Sequence, residues 1–477
     1  MTRQPVLLER SCTAHSFSSE CAMNETEKNL LYEILGRITK MEIAGISIDS
    51  RNIKGGELFV ALKGDRFDGH DFVPDAIQKG AWGALVDRTI FEEKFESIGG
   101  YQNILPVDDT LTALQELARI NRKKYSIPLI GITGSNGKTT TKEMLASILK
   151  QNGPVLKNEG NMNNHIGVPL TLMRLDASHK AAVVEMGMSA PGEIETLARI
   201  AGPTIGVITN IGPAHLEFLG TLEMIAHAKG ELLERLSAED TAVLNADDPR
   251  VGILKSKFTG RIIMFGIEQE ADVRATNIKQ KQNTFAFKLS VSGNTTPVLL
   301  NTLGRHNIYN ALAAAAAAHA AGMTLDAIKT GLEEFAPVAM RSEMKQLQGR
   351  IVFADYYNAN PASMQAALAT LMSLKKKGRS LAVLGDMLEL GTSSPKEHAA
   401  IGQLVAELGI DVLITIGPLS KHLADGAIKA GMKKNQVFEA QTHAEAVALI
   451  QKHSRRGDAV LVKGSRGMKM EKILEEF

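Results

Sequence analysis

Cysteine is nearly missing from this chain. Cys12 and Cys21 are the two cysteines among 477 residues, so no disulfide framework and no cysteine metal site can be built, which fits a reducing cytoplasm. Net charge is nearly missing too. Lys and Arg number 54 against 53 Asp and Glu, giving +1; that excludes a protein-wide basic field for nucleic acid or membrane and leaves any anionic ligand to local sites. Long apolar runs are also absent. The Ala-rich stretch Ala311 to Ala321 is interrupted by His319 and is too short to span a bilayer. Met1 to Asn24 is polar and irregular apart from Val6, Leu7 and Leu8, so it reads as a disordered extension, or as chain ahead of a start at Met23, rather than a signal peptide. No segment repeats at a period of roughly 20 to 50 residues. What remains is ordinary: 44% apolar and 22% charged residues, and length for about three domains, each with its own core.

Against these absences stands one stretch, Ile130-Gly-Ile-Thr-Gly-Ser-Asn-Gly-Lys-Thr-Thr-Thr-Lys142. Ile127, Leu129, Ile130 and Ile132 read as a buried strand that runs into a glycine-bearing turn and then a helical pattern from Lys138 to Gln151. This is the strand, loop, helix order of a phosphate cradle. Gly134 and Gly137 let the backbone approach phosphate oxygens, and the amides opening the helix face an anion with the dipole behind them. Lys138 would meet the β- and γ-phosphates and the Thr139 hydroxyl a Mg²⁺. The fuller pattern wants a glycine where Ile132 stands, so this is the short form Gly-x-x-Gly-Lys-Thr. A glycine-rich turn that merely caps a helix is the plain alternative; the flanking strand and helix favour nucleotide.

From Glu25 to about Tyr125 the pattern is a small α/β domain. Its short strands, Ile46 to Asp49 and Leu58 to Leu62, end in polar loops that carry Ser50, Arg51, Lys63, Gly64 and Arg66. These suit a second phosphate-bearing ligand and equally suit solvated turns. From about Ser126 to Phe335, strands at Pro128 to Thr133, Ala181 to Glu185, Thr204 to Asn210, Thr241 to Asn245 and Arg261 to Phe265 alternate with helices. That spacing predicts a doubly wound parallel sheet with ligands at the carboxyl ends of its strands. Short alternating strands from Asp272 to Leu303 predict an antiparallel edge, and Gly304 to Asn310 opens the Ala-rich helix. From Ala336 to Phe477, strands Ile351 to Tyr356, Leu381 to Leu384, Val412 to Ile416 and Ala459 to Val462 predict a Rossmann-like second sheet.

Several strand ends carry further chemistry. A carboxylate finishing an apolar strand, as Glu185 does, needs a cation or donors, and a Mg²⁺ is the economical partner, with a helix cap or salt bridge as the alternative. His215 follows another strand end; Mg²⁺ prefers oxygen, so on its own chemistry it is a hydrogen-bonding loop histidine. Lys229 sits mid-helix between small residues and by position alone reads as solvated. Asp355 and Lys463-Gly-Ser-Arg466 end strands in loops that suit a ribose or a phosphate. Asp247-Asp-Pro-Arg250 reads as a strand-to-helix turn.

Taken together, the chain resembles the Mur ligase family from about Ile46 to its end. The motifs are Asp49-Ser-Arg51, Phe59-Val-Ala-Leu-Lys-Gly64 with Asp68-Gly-His70, Thr133-Gly-Ser-Asn-Gly-Lys-Thr139, Asn163-Asn-His-Ile-Gly-Val-Pro169, Glu185-Met-Gly187, His215-Leu-Glu217, Ala228-Lys-Gly-Glu231, Gly304-Arg-His-Asn307, Asp355 with Tyr357-Asn-Ala-Asn360, Gly385-Asp-Met-Leu-Glu-Leu-Gly391 and Lys463-Gly-Ser-Arg466. The Tyr-Asn-Ala-Asn and Gly-Asp-Met-Leu-Glu-Leu-Gly pieces favour the branch that adds a D-alanyl-D-alanine dipeptide. The resemblance implies three α/β domains and an ATP-dependent, ADP-forming ligase that joins this dipeptide to UDP-N-acetylmuramoyl-tripeptide through an acyl phosphate. It implies ATP lined by Gly134, Ser135, Asn136, Gly137, Lys138, Thr139 and Thr140, with Asn307, Asn310, Arg341 and Asp355. It implies Mg²⁺ held by Thr139, Glu185, His215 and Lys229, the lysine as a carbamate, which would make an anionic oxygen ligand of a cation. Lys138, Lys229, Glu185 and His215 are thereby the expected catalytic set. Ser50, Arg51, Lys63, Gly64, Asn164, Tyr357 and Asn358 would meet the substrate, Ser50, Arg51, Lys63 and Gly64 at its UDP. No nucleic-acid or membrane partner is implied, and a monomer is expected. A related amide ligase of the folylpolyglutamate-synthase kind, or a nucleotide-binding regulator without ligase activity, is the rival reading.

Overall fold

Strand and helix alternate through the described chain as the apolar spacing requires, and the strands assemble into three separate sheets. The computed structural model describes Leu35, Gly36, Ile38 and residues 43–96, 103–214, 216–281, 284–337, 340–375 and 377–477. The extension expected at 1–24 and the expected ligand His215 lie outside the described residues. Two compact units meet in sequence at Leu117 and Ala118.

In the first unit Gly45–Ser47, Glu57–Val60, Gly83–Asp87 and Ile104–Val107 pair in parallel in chain order. Helix Val73–Gln78 carries a proline in its first turn, where no N–H is needed, and packs Val73 and Ala76 with Phe59, Ala84 and Val86. The first two strands stop short of Asp49 and Leu62 because their ends are used otherwise. Asp49 accepts from the Arg51 amide to start a 3-10 turn, and the Leu62 carbonyl accepts from the Gly69 amide.

The second unit holds the other two sheets. Nine strands lie in the order Asn294–Leu300, Thr284–Val291, Val273–Lys281, Arg261–Gly266, Thr241–Asn245, Ile205–Ile208, Leu129–Thr133, Ala181–Glu185 and Val155–Lys157. Pairing is parallel from Val273–Lys281 onward and antiparallel between the first three, the edge expected from Asp272 to Leu303. Strand side chains alternate between two cores: Ile130, Ile132 and Val183 enter one, Leu129, Ala182 and Val184 the other. In the first core helix Lys138–Leu149 packs on helix His306–Ala320, whose residues from Ala311 to Ala318 are all fully buried. A helix apolar on every side is an interior helix, and alanine lets the two backbones come close. Leu129–Thr133 lies between Ala181–Glu185 and Ile205–Ile208. The chain thus winds to one side of this strand and then to the other, and the loop after it opens at the switch point, where open α/β sheets take ligands.

The third sheet runs Glu343–Leu347, Arg350–Ala354, Ala459–Lys463, Ser380–Gly385, Val412–Ile416 and Val437–Ala440, parallel except for its first pair. Its two edge strands were not expected. Glu-Met-Lys-Gln-Leu is polar as edges tend to be, and lacks the apolar run that marks a buried strand.

Candidate functional site

The loop from Gly134 to Gly137 is shaped by what surrounds it. Gly134 has φ +146° and a Cβ there would stand 1.9 Å from the Thr209 hydroxyl; Gly137 has φ +82° and its Cβ would stand 2.1 Å from Asn310 Oδ1. Glycine is required at both. The end of the neighbouring strand braces the loop. Ser135 N donates to Asn210 O at 3.0 Å and Asn136 N to Asn210 Oδ1 at 3.0 Å. Thr209 Oγ1 and Asn210 Nδ2 donate to Asn136 O at 2.6 and 3.0 Å. Gly137, as N-cap of helix Lys138–Leu149, has no side chain to offer the first amides, which leaves them to meet an anion.

Lys138 folds back, its Nζ donating to Gly134 O at 2.7 Å. Burial pushes its ammonium below the ordinary lysine value; Glu185 and Glu389 oppose the shift and Arg341 adds to it. Thr139 Oγ1 donates to Glu185 Oε2 at 2.7 Å and Asn163 Nδ2 to Glu185 Oε1 at 2.8 Å. Burial alone would push the Glu185 carboxyl up, but Lys142, Arg341 and Lys138, with the Thr139 hydroxyl, hold it below its ordinary value. The cation nearest Glu185 is Lys142, at 3.7 Å, a residue not singled out in the sequence although it closes the phosphate-loop stretch. Its signal was its place one helical turn beyond Lys138. Lys229, in helix Leu222–Glu234, is 1% exposed and so is not the solvated lysine its position suggested. Ala226, Ala228 and Gly230 around it are buried as well. Burial, then repulsion from Lys138, pushes it well below the ordinary value.

The third sheet reaches this loop. Arg341 lies over the Tyr357 ring at 3.8 Å, and its charge acts on both Lys138 and Glu185. Asn360 Nδ2 donates to Asn136 Oδ1 at 2.8 Å while Asn360 Oδ1 caps helix Pro361–Leu374. Glu217 N donates to Glu389 O at 3.3 Å. Asp355 and Lys463, read separately as ligand contacts, bind one another: Lys463 Nζ donates to Asp355 Oδ2 at 2.6 Å and to Asn358 O at 2.9 Å, and Ser342 N to Asp355 Oδ1 at 3.0 Å. The Asn358 side chain accepts from Ala359 N. Asn307 and Asn310 are buried and back the loop. Asn307 Nδ2 donates to Thr302 Oγ1 and Leu303 O, and Asn310 Nδ2 to Asn307 Oδ1. Thr140 is half-buried. Asn164 Oδ1 accepts from Ile166 N and Gly167 N at 3.2 and 2.8 Å, starting a short helix. Asp247 to Arg250 form the strand-to-helix turn expected there, Arg250 N donating to Asp248 Oδ1 at 2.9 Å, while Asp247 accepts from the amides of Ile267, Glu268 and Gln269.

In the first unit the expected substrate residues are occupied locally. Arg51 forks onto Asp49, Nε to Oδ1 and Nη2 to Oδ2, both at 2.8 Å. Ser50 is buried. Lys63 bridges to Asp68 through the backbone and is exposed, and Gly64 N donates to Phe67 O at 3.0 Å.

These residues fit a magnesium nucleotide. Two glycines clear the backbone, and a buried carboxylate and a hydroxyl supply the hard oxygen donors Mg²⁺ prefers. No group of three or more His, Cys, Asp or Glu suited to a metal occurs among the described residues; a metal shared with phosphates needs only one or two carboxylates. No helix among the described residues is long and apolar enough to cross a membrane.

Sequence profiles described as Mur ligase family, catalytic domain, Mur ligase middle domain, and Mur ligase, glutamate ligase domain match residues 42–122, 132–318 and 340–466. The UDP-N-acetylmuramoyl-tripeptide–D-alanyl-D-alanine ligase of Bacillus subtilis (strain 168) is 36% identical over 461 residues, covering 95% of this chain and 98% of that protein. A crystal structure of MurF from Acinetobacter baumannii superposes with a TM-score of 0.85 at 34% identity, covering 94% of this chain and 97% of the other. MurF ligase from Thermotoga maritima in complex with ADP gives 0.80 at 29%, covering 91% and 96%.

Proposed function

We propose a function on one established premise: the chain belongs to the Mur ligase family. It is an ATP-dependent, ADP-forming ligase that joins D-alanyl-D-alanine to UDP-N-acetylmuramoyl-tripeptide, making the pentapeptide precursor of peptidoglycan. The observation that carries this reading is a match along 98% of a ligase named for that reaction, with the phosphate loop intact at its centre. A cytoplasmic location is part of this reading, and family membership supports it.

A carboxylate is too poor an acyl donor to meet an amine directly. Phosphorylation of the tripeptide's terminal carboxylate gives an acyl phosphate, and the dipeptide amine then displaces phosphate through a tetrahedral intermediate. Bound magnesium would neutralise phosphate charge. The chain's own part is positioning and charge: the loop amides and Lys138 hold the phosphates, Arg341 brings a third-sheet cation to the same place, and the close fit of the third sheet on the loop excludes water from the acyl phosphate. Asn307, Asn310 and Asp355 complete the nucleotide's surroundings. Ser50, Arg51, Lys63 and Gly64 take the UDP part, and Asn164, Tyr357 and Asn358 the remainder. We assign domains to 25–125, 126–335 and 336–477.

Thr139, Glu185, His215 and Lys229 would hold the metal, the last as a carbamate. The support for that modification is that Lys229 is buried, pushed toward its neutral amine, and has no carboxylate partner among the described residues. A neutral amine adds to carbon dioxide, forming the N–C bond and releasing one proton, and the product is an anionic oxygen ligand. Lys229→Ala should lose turnover and regain part of it with short carboxylic acids, and ¹³C-bicarbonate should give a carbamate resonance in wild type alone. Full activity in the variant, or no resonance, ends the assignment and leaves the reaction standing. The reaction is tested by phosphate release. Release should require ATP, the UDP-tripeptide and D-alanyl-D-alanine together; release driven by a single amino acid, or none at all, rejects it.

A further inference from the structure

Behind the phosphate loop lies a charged group that the reaction as described does not use. Lys142 has no exposed surface. Its Nζ donates to Asn158 O at 2.6 Å and stands 3.7 Å from Glu185 Oε2 and 3.4 Å from Glu143 Oε1, and Glu143 is paired in turn with Lys157. Asn158, also fully buried, closes a ring from the other side. Its Nδ2 donates to Glu185 O and its Oδ1 accepts from Glu185 N, both at 2.9 Å, while Nδ2 also donates to Met162 O at 2.9 Å. Glu185 is therefore gripped twice. Its main chain is fixed by Asn158, at the end of edge strand Val155–Lys157, and its carboxylate faces an ammonium from helix Lys138–Leu149.

An ammonium at this depth costs free energy that a well-packed apolar side chain would not. That cost is placed beside the one carboxylate that meets Thr139, and the ring ties helix Lys138–Leu149 to the carboxyl end of strand Ala181–Glu185 and to the residue after strand Val155–Lys157. We propose that Lys142, acting with Asn158, is a positioning residue for the ligase reaction: it holds the Glu185 carboxylate against Thr139, so that both metal-binding oxygens are set before the nucleotide arrives. This rests on the reading that Glu185 and Thr139 take the magnesium. Lys142 itself touches neither nucleotide nor metal.

The test is ADP affinity by calorimetry on the full chain, once with Mg²⁺ and once with EDTA. Wild type should bind more tightly with Mg²⁺. Lys142→Met should lose roughly 10- to 100-fold of the Mg²⁺-dependent affinity, the usual cost of removing a group that orients a metal ligand, and should keep its affinity in EDTA, where only loop amides and Lys138 act. Asn158→Ser, which retains the lysine, should show the same selective loss, and carries the test if Lys142→Met does not fold. Equal losses in both conditions would mean a collapsed loop and overturn the positioning role. Unchanged or tighter Mg²⁺·ADP binding would overturn it as well. A wild type indifferent to Mg²⁺ removes the reading beneath it, and the inference with it.

Discussion

The phosphate loop and the first unit's polar loop both carry cations proposed to meet phosphate, yet they are built in opposite ways. At the phosphate loop the charges are mutually constrained: Lys138 and Glu185 perturb one another, Arg341 acts on both and Lys142 on Glu185, and two glycines leave no room for side chains. In the first unit Arg51 is exposed and satisfied by its neighbour Asp49, each raising the other's preference for its charged form. The first site is preorganised and expensive; the second is cheap, its charge exposed and shared with Asp49. Preorganised charge serves chemistry, where reorganisation at the moment of reaction would be costly. Exposed, shared charge suffices to hold a handle remote from the reacting atoms.

If that contrast holds, its largest consequence is at Lys138. Lys138→Ala should lower turnover by about three orders of magnitude or more, as removal of a charge-stabilising group does. The unliganded variant should melt no lower than wild type, because burial already disfavours this ammonium. Activity assays beside thermal melts check both halves. A variant that melts much lower would make Lys138 a structural group and break the contrast.

Next in size is the pair behind the third sheet's loop. Lys463 is 2% exposed and binds Asp355 at 2.6 Å. Lys463→Met leaves that carboxylate unpaired and should cost about 3 kcal/mol at neutral pH. Burial raises the Asp355 carboxyl, but Lys463, with His306 and the Ser342 amide, outweighs it, so the folded value lies below the ordinary one. The pair's contribution is complete above the ordinary carboxylate range and is lost as pH falls through the lowered folded value. Without Lys463 the carboxyl should take its proton earlier, so the gap between variant and wild type should narrow in acid. Denaturation midpoints from neutral to acid pH measure it; a constant gap would mean that lost packing, rather than charge, sets the cost.

What was legible in the sequence follows the range of the interactions. The strand, glycine turn and Lys-Thr order is local, and the loop stands where it was expected, as do the antiparallel edge and the buried alanine helix. The burial of Lys229 follows from its helix face: Leu222, Ile225, Leu232 and Leu233 recur at helical spacing around it, a period that the small residues beside the lysine obscured. The Asp355–Lys463 pair spans 108 residues, and the Asn136–Asn360 contact 224; neither end hints at the other. Edge strand Glu343–Leu347 was missed because an edge needs no apolar run. Arg341 came from the family resemblance alone, since an arginine in a polar stretch gives no local signal.

The smallest expected effect is at Arg51, and it bears most directly on the contrast. The guanidinium is 76% exposed and its charge is already shared with Asp49 through Nε and Nη2, so a phosphate would meet a cation that is partly neutralised. The net gain from such a charge-assisted contact in water is small. Arg51→Ala should therefore raise KM for the UDP-tripeptide by about tenfold or less, leave kcat and KM for ATP unchanged, and leave the melting temperature where it was. Asp49→Asn frees the same fork without removing it and should lower that KM slightly, an opposite sign that a purely structural Asp49–Arg51 pair would not give. If both variants instead lose stability with KM unmoved, the pair is a turn brace and the phosphate contacts of the first unit lie elsewhere.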